Sequence, residues 1–305
     1  MTGTLGRAAR SSVIFWLLVF TATSLAQDAA IPPPYTEGEF AVVADFMDYD
    51  ASTPLNSTIV EKTSFDTQTR YKVAFRGSSD EIVPGYLSTP KAGDGPFPCV
   101  LLMHGLSGSK GMWWEDGWGH GEVLVQRLIT TGYAVFALDA KYHGERSSLD
   151  NYAIPWGMFE RGEVARLRSV MVESTADYRR GLDWMETRED IDAARIGAIG
   201  LSMSGMMLYY LTALDDRVRV AVAGVVPPFI ESLAIVPIRV APYIGETPFA
   251  LLMGSEDPFY TEELTERVMS VIPSEDKVLK FYDSGHAPPV EYVDDAVEWI
   301  HTHLE

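Results

Sequence analysis

From residue 97 onward the sequence alternates short apolar runs with longer stretches of helical periodicity, and few architectures accept that pattern. The runs are 98–103 (PCVLLM), 133–138 (YAVFAL), 195–199 (RIGAI), 218–224 (VRVAVAG), 248–253 (PFALLM) and a last one near 277–282 (KVLKFY). Three of them, 98–103, 133–138 and 248–253, are apolar along their whole length, as strands buried on both faces are. The stretches between and after them, 119–131, 163–187, 204–214, 260–272 and 290–304, read as helices. In the longest, Tyr178, Leu182 and Met185 recur at helical spacing with Trp184 beside them, a stripe suited to packing on a sheet. Strand and helix taking turns imply a doubly wound parallel sheet with right-handed crossovers. Upstream, 58–66, 69–76 and 81–88 alternate in strand fashion, with Gly77-Ser78-Ser79-Asp80 as the turn between the last two. The predicted class is therefore α/β, a mostly parallel sheet with antiparallel N-terminal strands, in a single domain over 58–305. The stretch 226–247 contains Pro227, Pro228, Pro237 and Pro242, and is a candidate lid or rim.

The N-terminus reads as a targeting segment. Arg7 and Arg10 precede the apolar run 13–20 (VIFWLLVF), and Ser24-Leu25-Ala26 supplies small residues at −3 and −1 of a cleavage site. The expectation is a signal peptide over 1–26, followed by an extension over 27–57 that includes the stiff Ile31-Pro32-Pro33-Pro34. The apolar run is too short for a comfortable membrane span; an uncleaved anchor is the alternative. The mature chain is expected to be secreted or periplasmic, with no stable membrane insertion. Loss of the segment removes two basic residues and no acidic ones, moving the formal net charge from −19 to −21. Such a surface repels nucleic acid and anionic membranes. The lone cysteine, Cys99, cannot form an internal disulfide and lies in an apolar run, which reads as a buried strand position rather than a nucleophile. No Cys/His spacing suits zinc, and no metal or cofactor is expected.

The segment Ile199-Gly200-Leu201-Ser202-Met203-Ser204-Gly205 follows a predicted strand and opens a predicted helix. That is the context of a nucleophile elbow, where a sharp turn exposes the serine hydroxyl. The usual pattern is Gly-x-Ser-x-Gly. Here Ser204 takes the place of the second glycine, which comes one residue later as Gly205. Ser202 is preferred as nucleophile because it stands two residues after Gly200 at the strand end, whereas Ser204 falls in the first helical turn. The bland reading of Gly-Leu-Ser is a tight turn with a helix cap.

A serine nucleophile needs a base, and the base needs an orienting acid. In this elbow context the chain order is serine, then Asp or Glu, then histidine. Gly254-Ser255-Glu256-Asp257-Pro258 and Asp283-Ser284-Gly285-His286-Ala287-Pro288 each follow a predicted strand downstream of Ser202. Open α/β sheets place their sites at such strand ends. His286 is the candidate base, since His301 and His303 fall on the C-terminal helix. Asp257 is favoured over Glu256 as the acid. For the developing oxyanion, Met103-His104-Gly105-Leu106-Ser107-Gly108 ends the first central strand. Its turn would offer the Leu106 N–H opposite the Met203 N–H at the helix start. His104, and His143 in Tyr142-His143-Gly144-Glu145-Arg146, read as turn residues rather than bases.

Three segments carry a family resemblance: His104-Gly105-x-x-Gly108, Leu138-Asp139-Ala140-x-x-His143-Gly144-Glu145-Arg146-Ser147, and Asp177-x-Arg179-Arg180-x-Leu182-Asp183-Trp184. With the elbow they resemble the dienelactone-hydrolase-like and acetyl-xylan-esterase-like branches of the α/β-hydrolase superfamily, from about residue 65 to the C-terminus. Dienelactone hydrolases proper use cysteine, so the serine here points to ordinary ester hydrolysis. The resemblance implies an α/β-hydrolase fold and a carboxylesterase acting through an acyl-enzyme on a small-molecule or polymer ester. A peptidase or amidase on the same scaffold, and a non-catalytic binding protein, are the competing readings. Prolyl-oligopeptidase-like peptidases share the core but usually carry a large propeller, for which the chain has no room. Trp113, Trp114, Trp118, Tyr142 and Trp156 follow the two strand ends closely, and either line an acyl or aryl pocket or pack as core and rim. Residues 147–162 lack a long amphipathic pattern, which suggests a fairly open cleft for small or medium esters.

Overall fold

Period-two alternation with both faces apolar forces a strand to be covered on both sides. In β4 (Phe97–Met103) Cys99, Leu101 and Met103 enter one buried cluster, and Val100 and Leu102 enter another across the sheet. The computed structural model describes residues 31–228 and 233–305. The expected signal segment 1–26 and residues 27–30 of the extension lie outside the described residues.

The sheet has nine strands in the order β1-β2-β3-β5-β4-β6-β7-β8-β9. β1 (Thr58–Ser64), β2 (Gln68–Arg76) and β3 (Ile82–Pro90) pair antiparallel, and β3 joins β5 (Ala134–Leu138) antiparallel. From β5 onward every pairing is parallel, through β4, β6 (Ile191–Leu201), β7 (Val218–Gly224), β8 (Phe249–Gly254) and β9 (Lys277–Tyr282). This is the expected α/β-hydrolase arrangement, an antiparallel opening on a doubly wound sheet. Cys99 is a buried strand residue, and burial pushes its thiol pKa up, so it stays protonated.

Eight α-helices lie among the described residues. Two are longer than two turns and cover the β4 face that holds Val100: α2 (Gly121–Thr131) and α8 (Glu291–Leu304). α2 buries Leu124, Val125, Leu128 and Ile129, and stops at Gly132, whose φ of 98° suits only glycine comfortably. The other face is covered by α4 (Val164–Glu186), α5 (Met203–Leu214) and α7 (Glu262–Val271). The stripe of Tyr178, Leu182, Met185 and Trp184 is buried on α4 in that face. Sequence periodicity finds all five of these helices within a few residues.

It misses the short ones. α1 (Glu37–Asp45) lies in the N-terminal extension and starts with a capping box, Thr36 accepting from the Glu39 N–H and Glu39 from the Thr36 N–H. α3 (Trp156–Glu160) follows a 3-10 stretch, and α6 (Pro237–Val240) occupies the proline-rich stretch expected to be irregular. The extension is tied to that stretch. Tyr35 donates to the Ala234 carbonyl (2.7 Å), Tyr243 donates to the Tyr35 carbonyl (2.7 Å), and Phe40 stacks on Tyr243.

Four of the charged residues in the resemblance motifs, Asp139, Glu145, Arg146 and Asp177, join Lys110 and Glu81 in a largely buried charge lattice. Asp139, following β5, accepts from the Lys110 N–H, the Lys110 ammonium and the Glu145 N–H at 2.7–2.9 Å. Any side chain at Gly144 would collide with that carboxylate. Arg146 is 2% exposed at its side chain and donates to Asp177 on α4 (2.7 Å) and to Glu81 (3.0 Å). Asp177 also accepts from the N–H and hydroxyl of Ser78, tying the β2–β3 turn to the helix. Removing one partner leaves an uncompensated charge in this lattice. Asp177→Ala is expected to destabilise the fold by about 3–5 kcal/mol. Urea unfolding of the variant checks this, and a loss below about 1 kcal/mol would mean that Arg146 finds another counter-charge.

Candidate active site

β6 and α5 meet at Ser202, whose backbone is held at φ 56°, ψ −117°, a region that non-glycine residues seldom occupy. The Ser202 N–H donates to the Gly224 carbonyl on β7 (2.9 Å), which pins the turn to the sheet. Strand and helix then approach so closely that a Cβ at Gly200 would lie 2.7 Å from the Ser204 carbonyl oxygen. A Cβ at Gly205 would collide with Val226 and lie 3.1 Å from the Gly200 carbonyl oxygen. The close approach that glycine permits is therefore needed at 200 and 205, and position 204 has room for a side chain. Ser204 is in the first turn of α5, fully buried.

Ser202 Oγ lies 2.8 Å from His286 Nε2. On the other side of the ring, Nδ1 lies 2.7 Å from Asp257 Oδ2. Asp257 stands in the loop after β8, its side chain shut from solvent, and its second oxygen accepts from the Phe259 N–H (3.0 Å). Glu256, the competing acid, is exposed. His286 stands in the loop after β9, between the rings of Phe259 and Trp118, and the Trp118 indole N–H donates to its carbonyl (2.9 Å). His301 and His303 face elsewhere, His301 toward Tyr133 and His303 toward the Trp299 carbonyl. The structure thus brings Ser202, His286 and Asp257 together.

Leu106 and Met203 line the same cavity as Ser202 and His286. Met203 is the first residue of α5, where an N–H has no intrahelical acceptor and the helix dipole favours negative charge. The Gly105 carbonyl accepts from the Gly108 N–H (3.0 Å) and lies 2.9 Å from His104 Nδ1. A trans peptide sends its N–H opposite its C=O, so those contacts turn the Leu106 N–H the other way. The buried His104 ring accepts from the Ala140 N–H at Nε2 (3.0 Å), which leaves the proton on Nδ1. Burial holds its pKa below the ordinary value. His104 is a turn residue, as its sequence context suggests. So is His143, whose Nδ1 lies 2.7 Å from the Lys141 carbonyl and whose ring sits 5.1 Å from that of His104.

Residues 42–237 match the acetyl xylan esterase (AXE1) family, well over half of the chain. The chain belongs to that family. The family is one of esterases, in agreement with the acetyl-xylan-esterase-like resemblance. The protein YtaP of Bacillus subtilis (strain 168) is 33% identical over 153 residues. That match spans 47% of this chain and 48% of YtaP, about half the length of each. Among solved structures, the acetyl xylan esterase from Paenibacillus sp. R4 superposes with a TM-score of 0.66 at 16% identity, over 90% of this chain and 97% of that one. Acetyl xylan esterase 1 from Thermoanaerobacterium sp. JW/SL YS485 gives 0.63 at 16%, over 90% and 96%. A cold-adapted esterase from an Arctic intertidal metagenomic library gives 0.61 at 22%, over 85% and 100%. At such identities the likeness is one of fold, and it is the α/β-hydrolase fold.

The cavity at Ser202 is small, about 70 Å³, and walled by apolar side chains. Of the five aromatic residues singled out in the sequence, only Trp156 lines it. Trp118 flanks His286 from outside, Trp113 is fully buried, Trp114 packs edge-on against Tyr86, and Tyr142 lies under Lys141 and Arg166. The remaining walls include Phe159, Leu167, Met171, Met206 and Phe259, which the sequence does not single out. Their apolar character is the same in a core and in a pocket wall, so nothing in the sequence marks them. Of the stretch 226–247, Pro227 and Leu233 line the cavity. A larger cavity of about 890 Å³ lies between α1, the start of α4 and residues 234–239, and none of the five candidate site residues lines it.

Burial, and then the neighbouring His104, hold the His143 pKa down at about 3. Unfolded His143 takes a proton near its ordinary 6.5, whereas the folded ring refuses it until about pH 3. Its contribution to stability is full above pH 6.5 and is lost as the pH falls toward 3. Between those values the unfolding free energy of His143→Asn is expected to fall less steeply than that of the wild type, by up to about 1.4 kcal/mol per pH unit. Parallel slopes in a pH series of urea melts would contradict this.

Proposed function

We propose that this chain is a secreted carboxylic ester hydrolase that works through an acyl-Ser202 intermediate on small or medium esters. The observation that carries the reading is the relay from Ser202 Oγ through the His286 ring to buried Asp257, with both links under 3 Å. Asp257 and His286 lie beyond the family-matched segment, so geometry rather than family argues for their roles. The segment 1–26 supports export by its sequence alone. Among the described residues no helix is long and apolar enough to cross a membrane.

In this reading His286 Nε2 takes the Ser202 proton as Oγ attacks the ester carbonyl carbon. Asp257 holds the ring through Nδ1–H and stabilises the imidazolium. The carbonyl oxygen becomes an oxyanion facing the Leu106 and Met203 N–H groups, each such donor being worth about 2.7–4 kcal/mol in the transition state. Collapse breaks the ester C–O bond, and His286 returns its proton to the departing alcohol. Water, deprotonated by His286, then attacks the acyl carbon. The carboxylic acid leaves, and Ser202 recovers its proton. The wall of apolar side chains suits the acyl group, and about 70 Å³ is small beside the roughly 300–1,000 Å³ of sites that enclose drug-sized ligands. Short acyl chains such as acetate are the favoured substrates.

The test is turnover of p-nitrophenyl esters of increasing chain length, beside an acetylated sugar. Wild type is expected to favour acetate over octanoate. Ser202→Ala is expected to lose turnover, and Asp257→Asn to lose roughly 10⁴ in kcat. Unchanged turnover by Ser202→Ala, or no turnover of any ester by wild type, would overturn the reading.

A further inference from the structure

Ser204 stands where the nucleophile-elbow pattern has glycine. The steric reason for that glycine is met one residue later, at Gly205. The side chain at 204 is therefore free to do something else. Its hydroxyl, fully buried, donates to the carbonyl of His104 at the end of β4 and lies 3.3 Å from the Leu201 carbonyl. A serine hydroxyl has one hydrogen, and the shorter contact, to His104, takes it. This bond crosses from the elbow to the turn that bears Leu106.

We propose that Ser204 is a positioning residue for the oxyanion site: its hydroxyl fixes the His104–Gly105 peptide, and through it the direction of the Leu106 N–H. The proposal rests on the ester-hydrolase reading of Ser202. Two successive peptides are anchored at this turn. The His104 carbonyl is held from the elbow by Ser204. The Gly105 carbonyl is held from within the turn by Gly108 and the His104 ring. Gly105 between them has no side chain to restrict rotation, so its orientation depends on these bonds. Without the Ser204 hydroxyl, the buried His104 carbonyl loses a donor and the turn loses its link to the helix that carries Ser202. Ser202 and one oxyanion donor are set by α5, the other donor by the β4 turn; Ser204 ties the two frames together. Oxyanion donors work only near 2.7–3.1 Å from the developing charge. A small drift of Leu106 would therefore weaken the transition state while leaving ground-state binding in the apolar cavity unchanged.

The experiment compares wild type, Ser204→Ala, Ser204→Gly and Ser202→Ala, with rates expressed per folded molecule. Ser204→Ala and Ser204→Gly are expected to lose roughly 10- to 100-fold in kcat, with KM within about twofold of wild type. Affinity for a trifluoromethyl ketone, which adds Ser202 Oγ to its carbonyl carbon and leaves an oxyanion, is expected to fall by a similar factor. Neither substitution adds volume, and Ser204→Gly restores the usual pattern, so it carries the test if Ser204→Ala does not fold. Wild-type kcat and ketone affinity in the Ser204 variants, or a kcat loss matched by a rise in KM without weaker ketone binding, would overturn the proposal. If Ser202→Ala keeps its activity, the underlying reading fails instead; if it is inactive while the Ser204 variants match wild type, only the positioning role fails.

Discussion

The site depends on how closely β6 and α5 approach each other. A strand running directly into a helix would bury the residue at the junction. Here the backbone turns so sharply that Ser202 sits at φ 56° with its hydroxyl turned to His286. That turn is strained, and it persists because the surroundings over-determine it. The Ser202 N–H is bound by β7, Gly200 and Gly205 remove the side chains that would force the elements apart, and α5 is buried along most of its length. Leu106, Asp257 and His286 each arrive from the end of another parallel strand. β4 supplies the turn at Leu106, β8 the loop with Asp257, and β9 the loop with His286. Parallel strands bring those ends to one edge of the sheet, which is why residues 29 and 84 apart in sequence meet within hydrogen-bond distance.

Behind that edge lies a second layer that is polar rather than apolar. Asp139, Lys110, Arg146 and Asp177 compensate one another out of reach of water, with the part-exposed Glu145 and Glu81 at the margin. Such a lattice is costly to desolvate and gives little net stability, but it tolerates few arrangements. It fixes the loop after β5 to α4 and to the β2–β3 turn. Beside it, the His104 ring joins the β4 turn to Ala140. The turn that bears Leu106 is thereby braced from behind by neutral imidazole and from the elbow by Ser204.

Much of this was legible in the chain. Short, largely apolar runs taking turns with long amphipathic stretches are the pattern of strands covered by helices, so the α/β class follows from that alternation. Ser202, Asp257 and His286 could be named because each follows such a run, and strand ends converge. What stayed hidden was long-range or short. α1 and α3 are too brief for periodicity to register, though the Thr36-x-x-Glu39 capping signature was there to be read. Strand β6 begins at Ile191, earlier than the run read at 195–199, and Asp192 hides its first residues from a hydrophobic pattern. The partition of the tryptophans between core, flank and pocket depends on which element each meets, and no local pattern encodes that. The residue that looked like a flaw in the elbow motif, Ser204, is the one whose hydroxyl links the elbow to the turn after β4.

The most direct measurement of the central claim is stoichiometric labelling with a fluorophosphonate, followed by fragmentation of the peptide that contains both Ser202 and Ser204. One adduct per chain is expected, on the Ser202 oxygen, and none after Ser202→Ala. An adduct on Ser204 or at a site remote from His286, or no adduct on the wild-type protein, would contradict it.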